Sequence, residues 1–411
     1  MFNSKEFLLD NGIQLITICR DTQISSLHIG FKMGAMYEKK SEKGICHFIE
    51  HMLFKGTKKR DNHQINQELE ERAGSYSAYT DYASTVFAIT ALTEELGPSI
   101  ELLSDMIINS TFPKDEMERE RKVILAEIKT DLDDVEQYSY KKINEAAFKN
   151  GPLRHTVIGS EKTIKGFSKE QLENYYKVHY IPNQCIISIV SPLPHEEVKK
   201  MVENHFLQWI PMKKTFADVV IERNRSTEKT SYKTNIEQST LIYLYTFHGF
   251  SRREELALEI LNYKLGESAN SILFQALREE KGLSYDIYSE IDTTEAIKTL
   301  YIYTAVSEED IEEARNAIND CIEKIKKKEI CLDEKTINLM KKVLKTAVAS
   351  ILEDSESLGS YVLHQRIMGK RIDAFVEDMK ELDYIHEDEI HEVAEKLFRE
   401  PTVHMLLNRK K

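Results

Sequence analysis

The stretch His47-Phe48-Ile49-Glu50-His51 sets two imidazoles four residues apart, with a carboxylate one step before the second. On a helix, four residues make just over one turn, so His47 and His51 share a face and can ligate one metal ion. Glu50 comes three residues after His47 and projects toward the same side at a different angle. That suits a group handling a water at the metal rather than the metal itself. A lone histidine on an apolar face is ordinarily a satisfied core residue. Burying two with a glutamate between them costs several kcal/mol unless something compensates, and a zinc ion does so.

Zinc needs a third protein ligand, and a catalytic site leaves the fourth position open. Glu127 is the best candidate, in a predicted helix from Asp115 whose apolar stripe includes Met117, Ile124 and Ile128. Glu120 and Glu127 stand two turns apart and border that stripe, whereas Glu116 and Glu118 read as solvated. Cys46, beside His47, points about 100° away from its neighbour on a helix and is assigned to packing.

The metal-bearing helix is marked by Ile45, Phe48, Ile49, Met52 and Leu53 and should stop near Phe54, before Gly56. Ahead of it, strands are predicted at 6–9 and 14–19 around Asn11-Gly12, and at 26–33. After it come a helix at 62–73, capped by Asp61 or Asn62 and ended by Gly74, and strands at 75–80 and 84–91. Helices follow at 94–109, 114–149 (interrupted), 169–178 and 195–206, with a strand at 184–190. From Pro211 to Thr230 the chain turns polar and charged, which predicts domains at 1–212 and 231–411 joined by a solvated linker, 213–230. The second half repeats the order of the first: strand 240–247, helices 252–265 and 270–281, strands 284–291 and 298–306, helices to about Arg399, strand 402–408. It has no second H-x-x-E-H; its first helix carries Leu256-Ala257-Leu258-Glu259-Ile260-Leu261.

His47 to Thr57, with Glu127 at its distance, resembles the inverzincin metallopeptidases, the family of insulinase, pitrilysin and the mitochondrial processing peptidase. The resemblance implies an α+β fold of two similar domains, each a mixed sheet packed with helices, forming half of a clamshell. It implies one Zn2+ per chain held by His47, His51 and Glu127, Glu50 as general base, and Glu120 orienting a ligating histidine. Tyr176, Tyr180, Pro182 and Asn183 match a family stretch leading into a strand, and are assigned structure. Leu277-Arg278-Glu279-Glu280-Lys281-Gly282-Leu283-Ser284-Tyr285 resembles L-R-E-x-x-G-L-x-Y, so Arg278 and Tyr285 are expected to contact substrate.

A net charge of −13 argues against nucleic acid and anionic membrane surfaces. No apolar run approaches the roughly 18 residues that span a bilayer, and Met1 to Glu6 lack the features of a signal peptide. Five cysteines without a C-x-x-C pair predict a reduced, cytoplasmic protein. The expected function is zinc-dependent endopeptidase action on peptides or unfolded segments. The substrate would be held as a strand against 75–79, with Ser77 and Ala78 in contact. Two departures bear on substrate grip: Ser77 where the family commonly has asparagine, and Ala83 where it commonly has glutamate. The alternative is a peptide-binding subunit of the same fold with little or no activity. A zinc hydrolase of another substrate class leaves Arg278 and Tyr285 without a reason. Because both motifs stand on one two-domain chain, a homodimer is predicted.

Overall fold

The computed structural model describes residues 2–212, 219–294 and 296–409; residues 213–218 of the expected linker lie outside the described residues. Strands β1 (Asn3–Leu8), β2 (Gln14–Cys19), β3 (Ile24–Phe31), β4 (Ser75–Thr80), β5 (Thr85–Leu92) and β6 (Cys185–Ser191) form one sheet, ordered β1-β2-β6-β3-β5-β4. Strands β7 (Thr227–Lys233), β8 (Ser239–Thr246), β9 (Ser284–Asp292), β10 (Thr299–Val306) and β11 (Thr402–Asn408) form a second, ordered β7-β11-β8-β10-β9. In each, one parallel pair (β2 with β6, β7 with β11) is followed by antiparallel pairings to the far edge. Among the described strands, only β1 lacks a counterpart. The repeated order read from the sequence is therefore a repeated topology.

Each sheet lies in its own compact unit. The first comprises 1–129, 156–219 and 349–374, the second 130–155, 220–348 and 375–411. This departs from two contiguous halves. Helices α1 (Ile45–Leu53), α2 (Asn62–Glu71), α3 (Leu96–Asn109) and α4 (Lys114–Asp133) precede α5 (Val135–Ala147), which belongs to the second unit. There Ile143, Ala147 and Phe148 pack on Ile242, Leu244, Tyr301 and Tyr303. Conversely the helix Ser355–Ile367 belongs to the first unit, where Leu358, Val362, Leu363 and Ile367 cover Ile16, Ile18, Val86, Ile186 and Val190. Strands such as β6, buried along its whole length, need cover on both faces, and these helices supply the second. Helical periodicity shows that a face is apolar but not which sheet it meets.

Other differences are local. The polar 213–230 segment is not all linker. Thr227 opens β7, and Glu222 accepts the backbone N–H groups of Lys149, Asn150 and Gly151 at 2.9, 2.7 and 2.6 Å. Its charge serves backbone satisfaction within the second unit. The interruption expected within 114–149 falls at Asp134, whose carboxylate caps α5 by accepting Gln137 N–H. After α2, Ala73 rather than Gly74 takes the left-handed conformation, at φ 51°. The predicted helices at 252–265 and 270–281 pass into wider π-type turns at Tyr263–Glu267 and Gln275–Glu280. A short helix at Glu161–Gly166, with a capping box from Ser160 and Thr163, was not expected.

Candidate metal centre and active site

Helix α1 buries Ile45, Phe48, Ile49, Met52 and Leu53 in the first unit's core, which leaves the imidazoles of His47 and His51 on its remaining face. Its N-cap is Gly44, at φ 91°, and a Cβ there would lie 2.6 Å from Ile158 O. Glycine cannot cap with a side chain, so Glu38 does it from upstream. Its two carboxylate oxygens accept Gly44 N–H and Cys46 N–H, both at 2.9 Å. Burial pushes Glu38 up to about 7, against the pull of those N–H groups and Lys43. The Cys46 thiol is buried near Tyr175 Oη, and burial raises it far above the reactive range.

The loop after α1 is stitched to the loop before α4. Thr111 N–H donates to Gly56 O at 3.0 Å, and Thr57 bridges Ser110. The Thr57 hydroxyl also donates to buried Asp105 at 2.7 Å, which receives Arg60 at 2.8 Å. The spacing between the helix bearing the histidines and the helix bearing Glu120 and Glu127 is thus set by hydrogen bonds at their adjoining ends.

Ligand atoms of His47, His51 and Glu127 lie within 4.8 Å of one another. Glu127 Oε2 is 3.9 Å from His47 Nε2 and 3.7 Å from His51 Nε2. These separations exceed a hydrogen bond and approach the roughly 3.3 Å edge of a tetrahedron with 2.0–2.1 Å zinc bonds. The donor set, two imidazoles and one carboxylate, is one that zinc accepts, so the residues fit the ion. His51 Nδ1 is 2.8 Å from Glu120 Oε2, which leaves Nε2 toward the cluster. His47 Nδ1 is buried and has no hydrogen-bond partner among the described residues.

Burial, then the neighbouring His51, lowers His47 to about 4, so it is a neutral imidazole with a free lone pair at physiological pH. His51 is depressed by burial, but its hydrogen bond to Glu120 and the charges of Glu127, Glu50 and Glu120 carry it above its ordinary value. Burial would raise Glu120, yet the hydrogen bonds from His51 and Lys55 hold it below the usual carboxylate range.

Glu50 is 8% exposed, and burial raises its pKa. One oxygen accepts the Thr80 hydroxyl at 2.7 Å. Sequence reasoning missed Thr80. Its signal was its place at the end of 75–80, two residues beyond Ala78 on the same strand face. Ser77 and Ala78, expected together, project to opposite faces because side chains alternate along a strand. Ala78 packs on the core that contains α1, as Thr80 reaches Glu50. Ser77 shares its face with Ser75 and Tyr79, which contact Glu356 and His364 of the helix Ser355–Ile367. β4 ends the sheet, pairing with β5 alone among the described strands. Ala83 is buried in the turn closed by Asp81, which accepts its N–H at 2.7 Å.

Arg278 and Tyr285 belong to the second unit. The Arg278 guanidinium lies 4.8 Å from the centre of the Phe274 ring and 4.7 Å from that of Tyr285, which is 77% exposed. Phe274 was not anticipated.

An α+β fold of two repeated sheets, with the histidines of an H-x-x-E-H helix meeting Glu127 of α4, defines a class of metallopeptidase-like proteins. Residues 16–161 match the family model "Insulinase (Peptidase family M16)" and residues 166–344 the model "Peptidase M16 inactive domain". A protein named "Uncharacterized zinc protease" from Rickettsia bellii is 30% identical over 376 residues, 89% of this chain and 88% of that one. The protein named "Uncharacterized zinc protease YmxG" from Bacillus subtilis is 27% identical over 399 residues, covering 96% of each. The chain belongs to peptidase family M16. A solved structure described as a protease from Helicobacter pylori shares the fold at a TM-score of 0.93, with 20% identity, over 99% of this chain and 100% of that one. No helix among the described residues is long and apolar enough to cross a membrane.

Proposed function

We propose that this protein is a zinc-dependent endopeptidase that cleaves peptides or unfolded polypeptide segments. The observation that carries the reading is the convergence of His47, His51 and Glu127 beside a buried Glu50 that hydrogen-bonds to the edge strand of the sheet. His47, His51 and Glu127 hold one zinc ion per chain. When bound, the ion supplies a Lewis acid beside which water becomes nucleophilic near neutral pH. Glu50 removes the water proton and delivers it to the leaving amine. The Thr80 hydroxyl holds one Glu50 oxygen and leaves the other to carry that proton. Glu120 holds the His51 tautomer by accepting from Nδ1.

An extended peptide adds to the free edge of β4, where backbone pairing tolerates many sequences. Thr80 at the end of that strand places the base beside the bound backbone. Arg278 and Tyr285, the first steadied between two rings, contact the substrate backbone. The protein acts as a cytoplasmic homodimer, a reading supported by five free cysteines and by both motifs standing on one chain. The second reading, a peptide-binding subunit of low activity, draws on Ser77, which has one hydroxyl where an amide would offer two ends.

A quenched fluorogenic peptide, assayed with and without chelator, tests this. We expect cleavage that chelation abolishes, about one zinc per chain, and release of zinc from the Ala variants of His47, His51 and Glu127. Glu50→Gln should retain zinc and lose at least about a hundredfold in rate. Zinc bound with no turnover on any peptide would favour the second reading. Mixing Glu50→Gln chains with Arg278→Ala chains tests sharing: activity regained shows that the two motifs act between chains.

A further inference from the structure

Lys55 follows the last turn of α1, its backbone N–H donating to Met52 O at 3.0 Å. Its ammonium lies 3.0 Å from Glu120 Oε1, while Glu120 Oε2 is the oxygen that meets His51 Nδ1 at 2.8 Å. Both side chains are withdrawn from solvent, at 20% and 10% exposure. Glu120 is therefore gripped at both oxygens, by a ligand-bearing imidazole on one side and a cation on the other. We propose that Lys55 is a positioning residue for the metal centre, fixing the Glu120 carboxylate that orients His51 and offsetting the site's third negative charge.

The proposal deepens the zinc reading and rests on it. Two physical arguments carry it. The first is rotational. The terminal torsion of a glutamate is broad and roughly two-fold, so a carboxylate held at one oxygen can swing. Held at both, Glu120 keeps Oε2 on Nδ1 and His51 keeps Nε2 toward His47 and Glu127. The second is charge. Glu50, Glu120 and Glu127 bring three carboxylates to one place, and a divalent ion offsets two of them. An unpaired charge in a poorly solvated site is strongly destabilising, and Lys55 supplies the partner for the third. Sequence reasoning could not separate Lys55 from Lys58 and Lys59, since all three stand in one basic run. Only the fold shows that Lys55 turns inward. It also lines a cavity of about 680 Å³ with Lys58, Arg60 and Arg119.

The test measures the zinc dissociation constant of the full chain by competition with a chromophoric chelator. The proteins are the wild type, Lys55→Met, Lys55→Arg, Glu120→Gln and the Lys55→Met/Glu120→Gln double variant. Outer-shell partners of a ligating histidine are worth about 10–100-fold in affinity, so Lys55→Met should weaken binding by roughly tenfold, with Lys55→Arg close to wild type. Because Lys55 acts through Glu120, the same change in the Glu120→Gln background should have an effect within about twofold. A second readout needs no activity. In metal-free protein labelled at histidine, the His51 Nδ1–H resonance should stand downfield in the wild type and the arginine variant and be lost in Lys55→Met. Unchanged or tighter zinc binding by Lys55→Met, or an equal loss in the Glu120→Gln background, overturns the proposal while leaving the zinc reading intact. A wild-type chain that binds no zinc overturns both.

Discussion

Replacing Thr80 by valine removes a hydroxyl and keeps the shape. In the native site that hydroxyl donates to Glu50 Oε2 at 2.7 Å, and it is itself 3.3 Å from Thr85 Oγ1, which meets Tyr180 Oη at 3.4 Å. Burial raises Glu50 and the Thr80 bond is the largest influence opposing it. A hydrogen bond to a charged group is worth about 1.5–3 kcal/mol. The protonated carboxyl still accepts weakly, so about half of that, roughly 1.4 kcal/mol, separates the two protonation states, a factor of about ten. The sign follows from the role of a base. Thr80→Val moves Glu50 further upward, less of it is ionised at acid pH, and kcat/KM falls there by about tenfold. On the alkaline side of the limb Glu50 is ionised in both proteins, and the loss should shrink to about twofold or less. The assay is the pH profile of kcat/KM on a fluorogenic peptide, with Thr80→Ser as the variant that restores the hydroxyl. A loss of equal size at every pH, or none at acid pH in a stably folded variant, would refute the argument.

Three further outcomes are expected. Glu38 is raised from the ordinary 4.5 to about 7 by burial, so the folded state binds more protons between those values and loses stability as pH rises through them. The urea-derived stability of the wild type relative to Glu38→Gln, in metal-free protein, should therefore fall by about 3 kcal/mol across that window, and a flat difference would remove Glu38 as a titrating cap. Gly359→Ala places a Cβ 2.7 Å from the buried His28 ring and should destabilise the protein by about 1–3 kcal/mol, measured by denaturant midpoint. Phe274→Leu removes one of the two rings beside Arg278; at about 0.5–1 kcal/mol for a cation–π contact, KM should rise roughly two- to fivefold with kcat nearly unchanged.

The helix that carries His47 and His51 was legible in the sequence because it depends on local geometry. His47 and His51 meet on any helix, and the flanking apolar residues make that helix. Glu120 and Glu127 stood out because they border a stripe whose period is itself local. The repeat of strand and helix order in the two halves was readable for the same reason. Contacts between elements were not. Glu38 reads as one more surface acid until the fold buries it against Gly44 and Cys46. Lys55 reads as part of a basic run, and Thr80 as a strand residue. Ser77 and Ala78 read as neighbours until the pleat sends them to opposite faces. The helix Val135–Ala147 advertises an apolar face and the helix Ser355–Ile367 scarcely any, but neither pattern carries an address, and only packing assigns each to a sheet outside its own half of the sequence. The histidine pair was thus a property of spacing along the chain, whereas its meeting with Glu127 was decided by the packing of two helices. The groups that hold it in register became visible only once distant segments were brought within hydrogen-bonding reach.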